Sequence, residues 1–222
     1  MQAIGFETSL PISDERSLFA FDAPMPEIAA HEVLVHIAAI AVNPVDIKIR
    51  NVGAPPAGQT RILGWDAAGV ITAVGADVGA FQVGDEVYYA GVVNRAGCNA
   101  EYQAVDARII AKKPKSLDFA QAAALPLTSL TTYEGLFDRL QVNEKSTMQN
   151  RVLLVIGGSG GVGSQIIQLA KQLSDLTVVA TASRPESQAW CLELGADYVI
   201  DHSKNFAEEW AATGLPAPSW VF

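Results

Sequence analysis

Five glycines fall within the seven residues Gly157-Gly158-Ser159-Gly160-Gly161-Val162-Gly163. The run follows the apolar residues Val152 to Ile156 and precedes Ser164, from which Ile166, Ile167, Ala170 and Leu173 recur at helical spacing. A buried strand, a turn that no side chain crowds and a helix start put backbone N–H groups at the positive end of a helix dipole. That combination holds phosphate groups, and after an apolar strand it holds the pyrophosphate of a dinucleotide.

The next strand, Thr177 to Ala182, selects among dinucleotides. NAD sites place a carboxylate near this point to bond the ribose 2′-hydroxyl. Here the strand runs out through Thr181-Ala182-Ser183-Arg184, with no carboxylate at its tip. Ser183 offers a hydroxyl, and Arg184 a planar cation matched to a phosphate. These residues point to NADP(H), the missing carboxylate carrying more weight than the arginine. Read structurally, Arg184 is a solvated residue before Pro185 at a helix start.

The elements that must position these groups follow from periodicity. After a break at Ser174-Asp175 comes the 177–182 strand. A helix over 186–194 is closed by Gly195, a strand covers 198–200, and Ser219 to Phe222 begins a further strand. This β-α-β-α-β order is one half of a doubly wound sheet. Up to about residue 112 the pattern is β-rich. Strands are predicted over 33–42 (ended by Asn43-Pro44), 70–74, 86–89 and 101–110, with Gly and Pro between them, and residues 51–60 read as a flexible loop. Helices are predicted over 117–125, with Ser116 as N-cap, and over 128–140. The fold class is α/β: a compact barrel-like domain over residues 1–125, then part of a doubly wound parallel-sheet domain over 126–222. A complete dinucleotide fold has about six strands. The chain stops on the apolar Trp220-Val221-Phe222, so it reads as a C-terminally truncated part of a longer protein.

Composition excludes several classes of function. The net charge of −9, with no basic run, argues against nucleic-acid and acidic-membrane partners. No apolar run approaches the ~18 residues that span a bilayer, and the N-terminus lacks the regions of a signal peptide. Two cysteines, Cys98 and Cys191, do not make a disulfide framework. A reduced, cytoplasmic protein fits. His31 and His36 read as solvent-side or hydrogen-bonded histidines, Cys98 as a small loop or buried residue, and one of Tyr88 and Tyr89 as core.

Several motifs occur in one order: Asn43-Pro44-Val45-Asp46, Leu63-Gly64-Trp65-Asp66-Ala67-Ala68-Gly69-Val70, Gly84-Asp85-Glu86-Val87, Ala122-Ala123-Ala124-Leu125-Pro126, the glycine turn, Leu194-Gly195-Ala196-Asp197 and Val199-Ile200-Asp201. In this set the chain resembles the quinone oxidoreductase branch of the medium-chain dehydrogenase/reductases, in the group of zinc-type alcohol dehydrogenase-like proteins. The resemblance implies a GroES-like domain followed by a Rossmann domain, NADPH as cofactor, a small-molecule quinone or α,β-unsaturated carbonyl as substrate, and a homodimer in the full-length protein. It implies that Gly158, Ser159, Gly160, Gly161 and Val162 hold the pyrophosphate, that Ser183 and Arg184 meet the 2′-phosphate, and that His202 lies on the adenine side. It places Asn43, Lys48 and Thr131 at the nicotinamide end as catalytic candidates.

In zinc-dependent relatives the metal ligands fall at positions matching Asn43, Trp65 and Leu127, none of them a usual zinc ligand. No metal site is therefore expected. Without a Lewis acid the substrate must already be electrophilic, and protein donors must stabilise the developing oxyanion. Asn43 and Lys48 are the candidates. Lys48 also reads as a surface lysine or one held on the cofactor, and Asp46 orients Lys48 or simply shapes the turn. Two other readings are a NADPH-binding protein without turnover and a zinc-dependent alcohol dehydrogenase, the latter disfavoured by Trp65 and Leu127.

Overall fold

The computed structural model describes residues 1–143 and 150–222. The chain divides into two compact units, Met1–Leu127 and Thr128–Phe222. The first holds β1 (Gln2–Phe6), β2 (Phe19–Asp22), β3 (Glu32–Ala41), α1 (Pro44–Val52), β4 (Arg61–Ile62), β5 (Asp66–Val74), β6 (Glu86–Ala90), β7 (Tyr102–Asp106), β8 (Ile110–Lys112) and α2 (Phe119–Ala123). The boundary falls in the first turn of α3 (Pro126–Tyr133).

Two antiparallel sheets build this unit, one in the order β7-β3-β5-β6-β8 and one in the order β2-β1-β4. Period-two alternation in β3 and β5 turns Val33, Val35 and Ile71 inward against Val87, Tyr89 and Val105. Of the paired tyrosines, Tyr89 is the core residue, its hydroxyl donating to Gln103 Oε1 at 2.8 Å, while Tyr88 is only partly buried. The predicted strand over 101–110 is broken. Asp106 accepts the Arg108 N–H and caps a 3₁₀ turn, Ala107–Ile109, which redirects the chain from β7 into β8.

Local chemistry overrides the sequence expectation at three further points. Residues after Asn43-Pro44 form α1, where a turn and the start of the 51–60 loop were expected. Pro44 pre-sets the first helical φ, and the Asp46 carboxylate takes the Asn43 N–H at 2.7 Å. The helix over 117–125 contracts to α2, because Asp118 and Gln121 form a reciprocal capping box and displace Ser116 as N-cap. The helix over 128–140 is continuous but changes pitch. After α3 it widens into π-helical turns over Glu134–Arg139, and the Leu140 N–H reaches back five residues to Gly135 O. A Cβ at Gly135 would fall 2.1 Å from the Phe222 ring, so the widened backbone packs directly on that ring.

The second unit continues with β9 (Val152–Val155), α4 (Gly161–Leu173), β10 (Thr177–Thr181), α5 (Pro185–Glu193), β11 (Tyr198–Ile200), α6 (Phe206–Ala212) and β12 (Trp220–Val221). Its sheet is parallel, in the order β11-β10-β9-β12. β9 lies between two neighbours and is buried at all four positions, as its unbroken apolar run requires. Leu153, Val155, Ile166, Ile167, Val178 and Ala180 make the core, each of the valine, leucine and isoleucine side chains contributing about 1.5–3 kcal/mol on full burial. The expected fourth strand is present as β12, where Trp220 pairs with Leu153 and Val221 with Leu154. Strand order reverses between β9 and β12, the switch point at whose carboxyl end ligands bind in such sheets. The fold is thus α/β, a unit of two antiparallel sheets followed by a Rossmann-type parallel sheet. Among the described residues no helix is long and apolar enough to cross a membrane.

Candidate functional site

The glycine turn leaves the carboxyl end of β9. Gly157 sits at φ +69°, a left-handed conformation that favours glycine. A Cβ at Gly158 would lie 2.6 Å from Ala180 Cβ, and one at Gly163 would lie 2.4 Å from Gly157 O. The first glycine lets the turn lie on β10, and the second lets the helix close on the turn. α4 starts at Gly161, capped by Gly160, three residues earlier than the apolar periodicity indicates. The N–H groups of Gly161, Val162 and Gly163 therefore open the helix without intrahelical acceptors. A dinucleotide pyrophosphate fits this cradle: it is free of side chains, rich in N–H donors and at the dipole's positive end.

Thr181, the last residue of β10, holds the turn in place and was not among the sequence candidates. Its Oγ1 accepts the Gly157 N–H at 2.9 Å and its backbone carbonyl accepts the Gly158 N–H at 3.0 Å. Its signal is a hydroxyl at the end of a strand, Thr177 to Thr181, that is otherwise aliphatic between its two threonines. Ser183 and Arg184 follow it after Ala182. Ser183 is half-buried, and Arg184 is exposed as the N-cap residue of α5, its Nη2 3.4 Å from Ser187 Oγ. The Ala182 N–H donates to Ile200 O, so the tips of β10 and β11 are adjacent. His202 is exposed two residues beyond β11. Beside it the Ser203 hydroxyl and N–H hold the Asp201 carboxyl below its usual range. Trp190 of α5 donates its indole N–H to Ser164 Oγ at 2.9 Å, tying α5 to the first turn of α4. Ser159, Gly160, Gly161, Val162, Ser183, Arg184 and His202 thus all lie at the carboxyl ends of β9, β10 and β11.

In the first unit a second cluster forms around Asp66, the first residue of β5. The β3–β5 register pairs Ala41 with Asp66, which brings Asn43 alongside. Asn43 Nδ2 donates to Asp66 Oδ2 at 2.8 Å, and the Leu127 N–H donates to Asp66 Oδ1 at 2.9 Å. The Cys98 thiol lies 3.3 Å from Asp66 O. Asp66 is fully buried, and that burial pushes its carboxyl up to about 6, with the Asp46 charge adding to the rise and the two hydrogen bonds opposing it. Burial also pushes the Cys98 thiol up to about 12, so it does not supply a thiolate. Asp66 too was missed by sequence reasoning. Its signal is a lone carboxylate between Trp65 and Ala67-Ala68 at the head of an apolar strand.

Of the catalytic candidates, Asn43 is buried in this cluster. Lys48 is exposed on α1, its side chain with no hydrogen bond or ion pair among the described residues, and Thr131 is exposed on α3 in the second unit. The donors at the expected metal positions do not fit zinc. The Asn43 amide and the Leu127 N–H are both engaged by Asp66, and position 65 is a buried indole. His31 lies 3.9 Å from Asp106, and the His36 ring packs at a tilt against Tyr102, their centroids 4.9 Å apart. No three His, Cys, Asp or Glu side chains among the described residues are placed to hold a metal ion.

A unit of antiparallel sheets followed by a parallel sheet with a glycine turn at its switch point defines a two-unit architecture with a dinucleotide-binding type of fold. The chain matches the alcohol dehydrogenase GroES-like domain over residues 29–115 and the zinc-binding dehydrogenase family over residues 161–216. It is 40% identical over its whole length to a zinc-type alcohol dehydrogenase-like protein of Staphylococcus epidermidis, of which it spans 66%. It is 40% identical over 83% of its length to the chloroplastic NADPH-dependent alkenal/one oxidoreductase of Arabidopsis thaliana, of which it covers 48%. A crystal structure from Rhizobium etli CFN 42, provisionally described as a zinc-dependent alcohol dehydrogenase, superposes with a TM-score of 0.96 at 52% identity, over 100% of this chain and 64% of that one. The chain belongs to the medium-chain dehydrogenase/reductase superfamily.

Proposed function

We propose that the protein is a NADPH-dependent oxidoreductase that passes a hydride to a quinone or an α,β-unsaturated carbonyl without a metal ion. The observation that carries this reading is the cradle at 157–163, pinned by Thr181 on a strand that leads through Ala182 to Ser183 and Arg184 rather than to a carboxylate. The similarity to an NADPH-dependent alkenal/one oxidoreductase supports it. A bound reduced nicotinamide supplies the hydride. Gly158 to Val162 bind the pyrophosphate through backbone N–H groups, Ser183 and Arg184 bind the 2′-phosphate, and His202 flanks the adenine.

Asn43, Lys48 and Thr131 serve the reacting end. Asn43 and Lys48 donate toward the oxygen on which negative charge develops. Residues 1–125 form the substrate-side domain and 126–222 the N-terminal half of the NAD(P)-binding domain. The full-length protein is assigned as a cytoplasmic homodimer. The engaged Asn43 amide and Leu127 N–H, with a buried indole at position 65, support the metal-free reading over the zinc alcohol dehydrogenase reading.

The test is NADPH and NADH oxidation by the full-length protein with a simple quinone and a simple enone, with and without a chelator. Faster turnover with NADPH that is insensitive to chelator is expected. Preference for NADH overturns the role of Arg184. Chelator-sensitive turnover of plain alcohols overturns the metal-free mechanism, and tight NADPH binding with no turnover of either acceptor favours a binding role.

A further inference from the structure

Asp66 is fully buried, and each of its carboxylate oxygens takes a hydrogen bond from a different segment. Oδ2 takes Nδ2 of Asn43, the residue that opens α1. Oδ1 takes the N–H of Leu127, at the start of α3. The Asp46 carboxylate holds the Asn43 backbone N–H, so residue 43 is fixed through both main chain and side chain. An asparagine amide has two chemically opposite ends, and a free one turns over to suit its neighbours. A carboxylate accepts hydrogen bonds and cannot donate them once ionised, so it admits only the nitrogen end.

We propose that Asp66 is a positioning residue for the reductase reaction, which locks the Asn43 amide in one orientation and fastens the start of α3 to the head of β5. The inference rests on the assignment of Asn43 to the reacting end of the site. Asp66 itself touches neither substrate nor cofactor. It acts by giving the Asn43 amide a fixed acceptor, so that the amide keeps one orientation.

In Asp66→Asn the new side chain brings an NH2 group to a place where two donors already point. Asn43 must rotate to offer its oxygen, or one donor is left buried without a partner. The experiment compares D66N, N43A and the double variant in the full-length protein, reading kcat, the KM for NADPH and the melting temperature. D66N and N43A should each lower kcat about tenfold or more with the NADPH KM nearly unchanged, and the double variant should fall no further than either single. Independent, multiplicative losses would show Asp66 to be structural only and overturn the proposal. Wild-type kcat in D66N with a loss in N43A overturns the positioning role while leaving Asn43 in place. Wild-type kcat in N43A overturns the assignment of Asn43 and the proposal with it. Should D66N fail to fold, the exchange N43D/D66N keeps a carboxylate–amide pair in the cavity. It should recover the melting temperature but not kcat, and recovery of kcat as well would refute the proposal.

Discussion

Thr181 uses two atoms to fix the two residues on which the cofactor cradle turns. The Gly157 N–H is held by its hydroxyl and the Gly158 N–H by its carbonyl. Only the first bond depends on side-chain identity. Thr181→Val keeps the shape and the buried methyl but deletes the acceptor, at a cost of about 1 kcal/mol. If that loss falls on the geometry of the turn, the NADPH dissociation constant should rise roughly fivefold, while Thr181→Ser should bind as the wild type. Isothermal titration of the three proteins checks this, and equal affinity in all three would mean that the carbonyl bond alone holds the turn. The same reasoning separates Thr181 from Arg184. Loss of the arginine should weaken NADPH and leave NADH untouched, whereas loss of the threonine hydroxyl should weaken both.

At the scale of elements, the cradle depends on how closely α4 approaches its own turn. A Cβ on Gly163 meets Gly157 O at 2.4 Å and both Gly158 Cα and Gly158 O at 2.8 Å, all backbone atoms with nowhere to go. Gly163→Ala should therefore destabilise the protein by about 1–3 kcal/mol and abolish measurable NADPH binding. Gly79→Ala, where a Cβ meets nothing within 4 Å, should change neither. Thermal melting with and without NADPH reads both effects. This close packing was legible in the sequence, since five glycines behind an apolar strand have few other uses. The β-α-β order and the opening of β12 were legible for the same reason, period and punctuation agreeing. Helix α1 was not. Val45-Asp46-Ile47-Lys48-Ile49-Arg50 alternates with the period of a strand, and its helical state is decided by Pro44 and the Asp46 cap, which are one-residue effects that periodicity does not weigh. Asp66 and Thr181 escaped because their roles arise from pairing between strands distant in sequence. No spacing rule says that residue 43 will lie beside residue 66 until the β3–β5 register is known.

For the whole molecule, these local choices set how stability responds to pH. Most perturbed carboxylates are held below their ordinary range by partners: Glu32 by Arg95, Asp85 by the Gln82 N–H, Asp106 by Arg108 and Asp201 by Ser203. Each favours the folded state above its unfolded pKa and loses that contribution as pH falls through its lowered folded value. Asp66 has the opposite sign. Its folded value of about 6 lies above the ordinary 3.8, so the folded state prefers the protonated carboxyl. Its ionisation costs nothing below pH 4, and the penalty grows between 4 and 6 and is complete above 6. A rise of this size amounts to about 3 kcal/mol in total, with on the order of 1 kcal/mol of it falling between about pH 5 and pH 7.5. Stability should therefore climb out of the acid range as the paired carboxylates ionise, then decline toward neutrality. The groups facing Asp66 are Asn43, the Leu127 N–H, Cys98 and the Asp46 carboxylate, and among them the Asp46 charge adds to the rise. Self-repulsion at a net charge of −9 also acts against the fold as pH rises, so the comparison needs a charge-matched control. Urea unfolding at both pH values should show the decline in the wild type and in Glu15→Gln, an exposed carboxylate, but not in Asp66→Asn. The same decline in all three proteins would place its origin in overall charge and leave Asp66 without a measurable share.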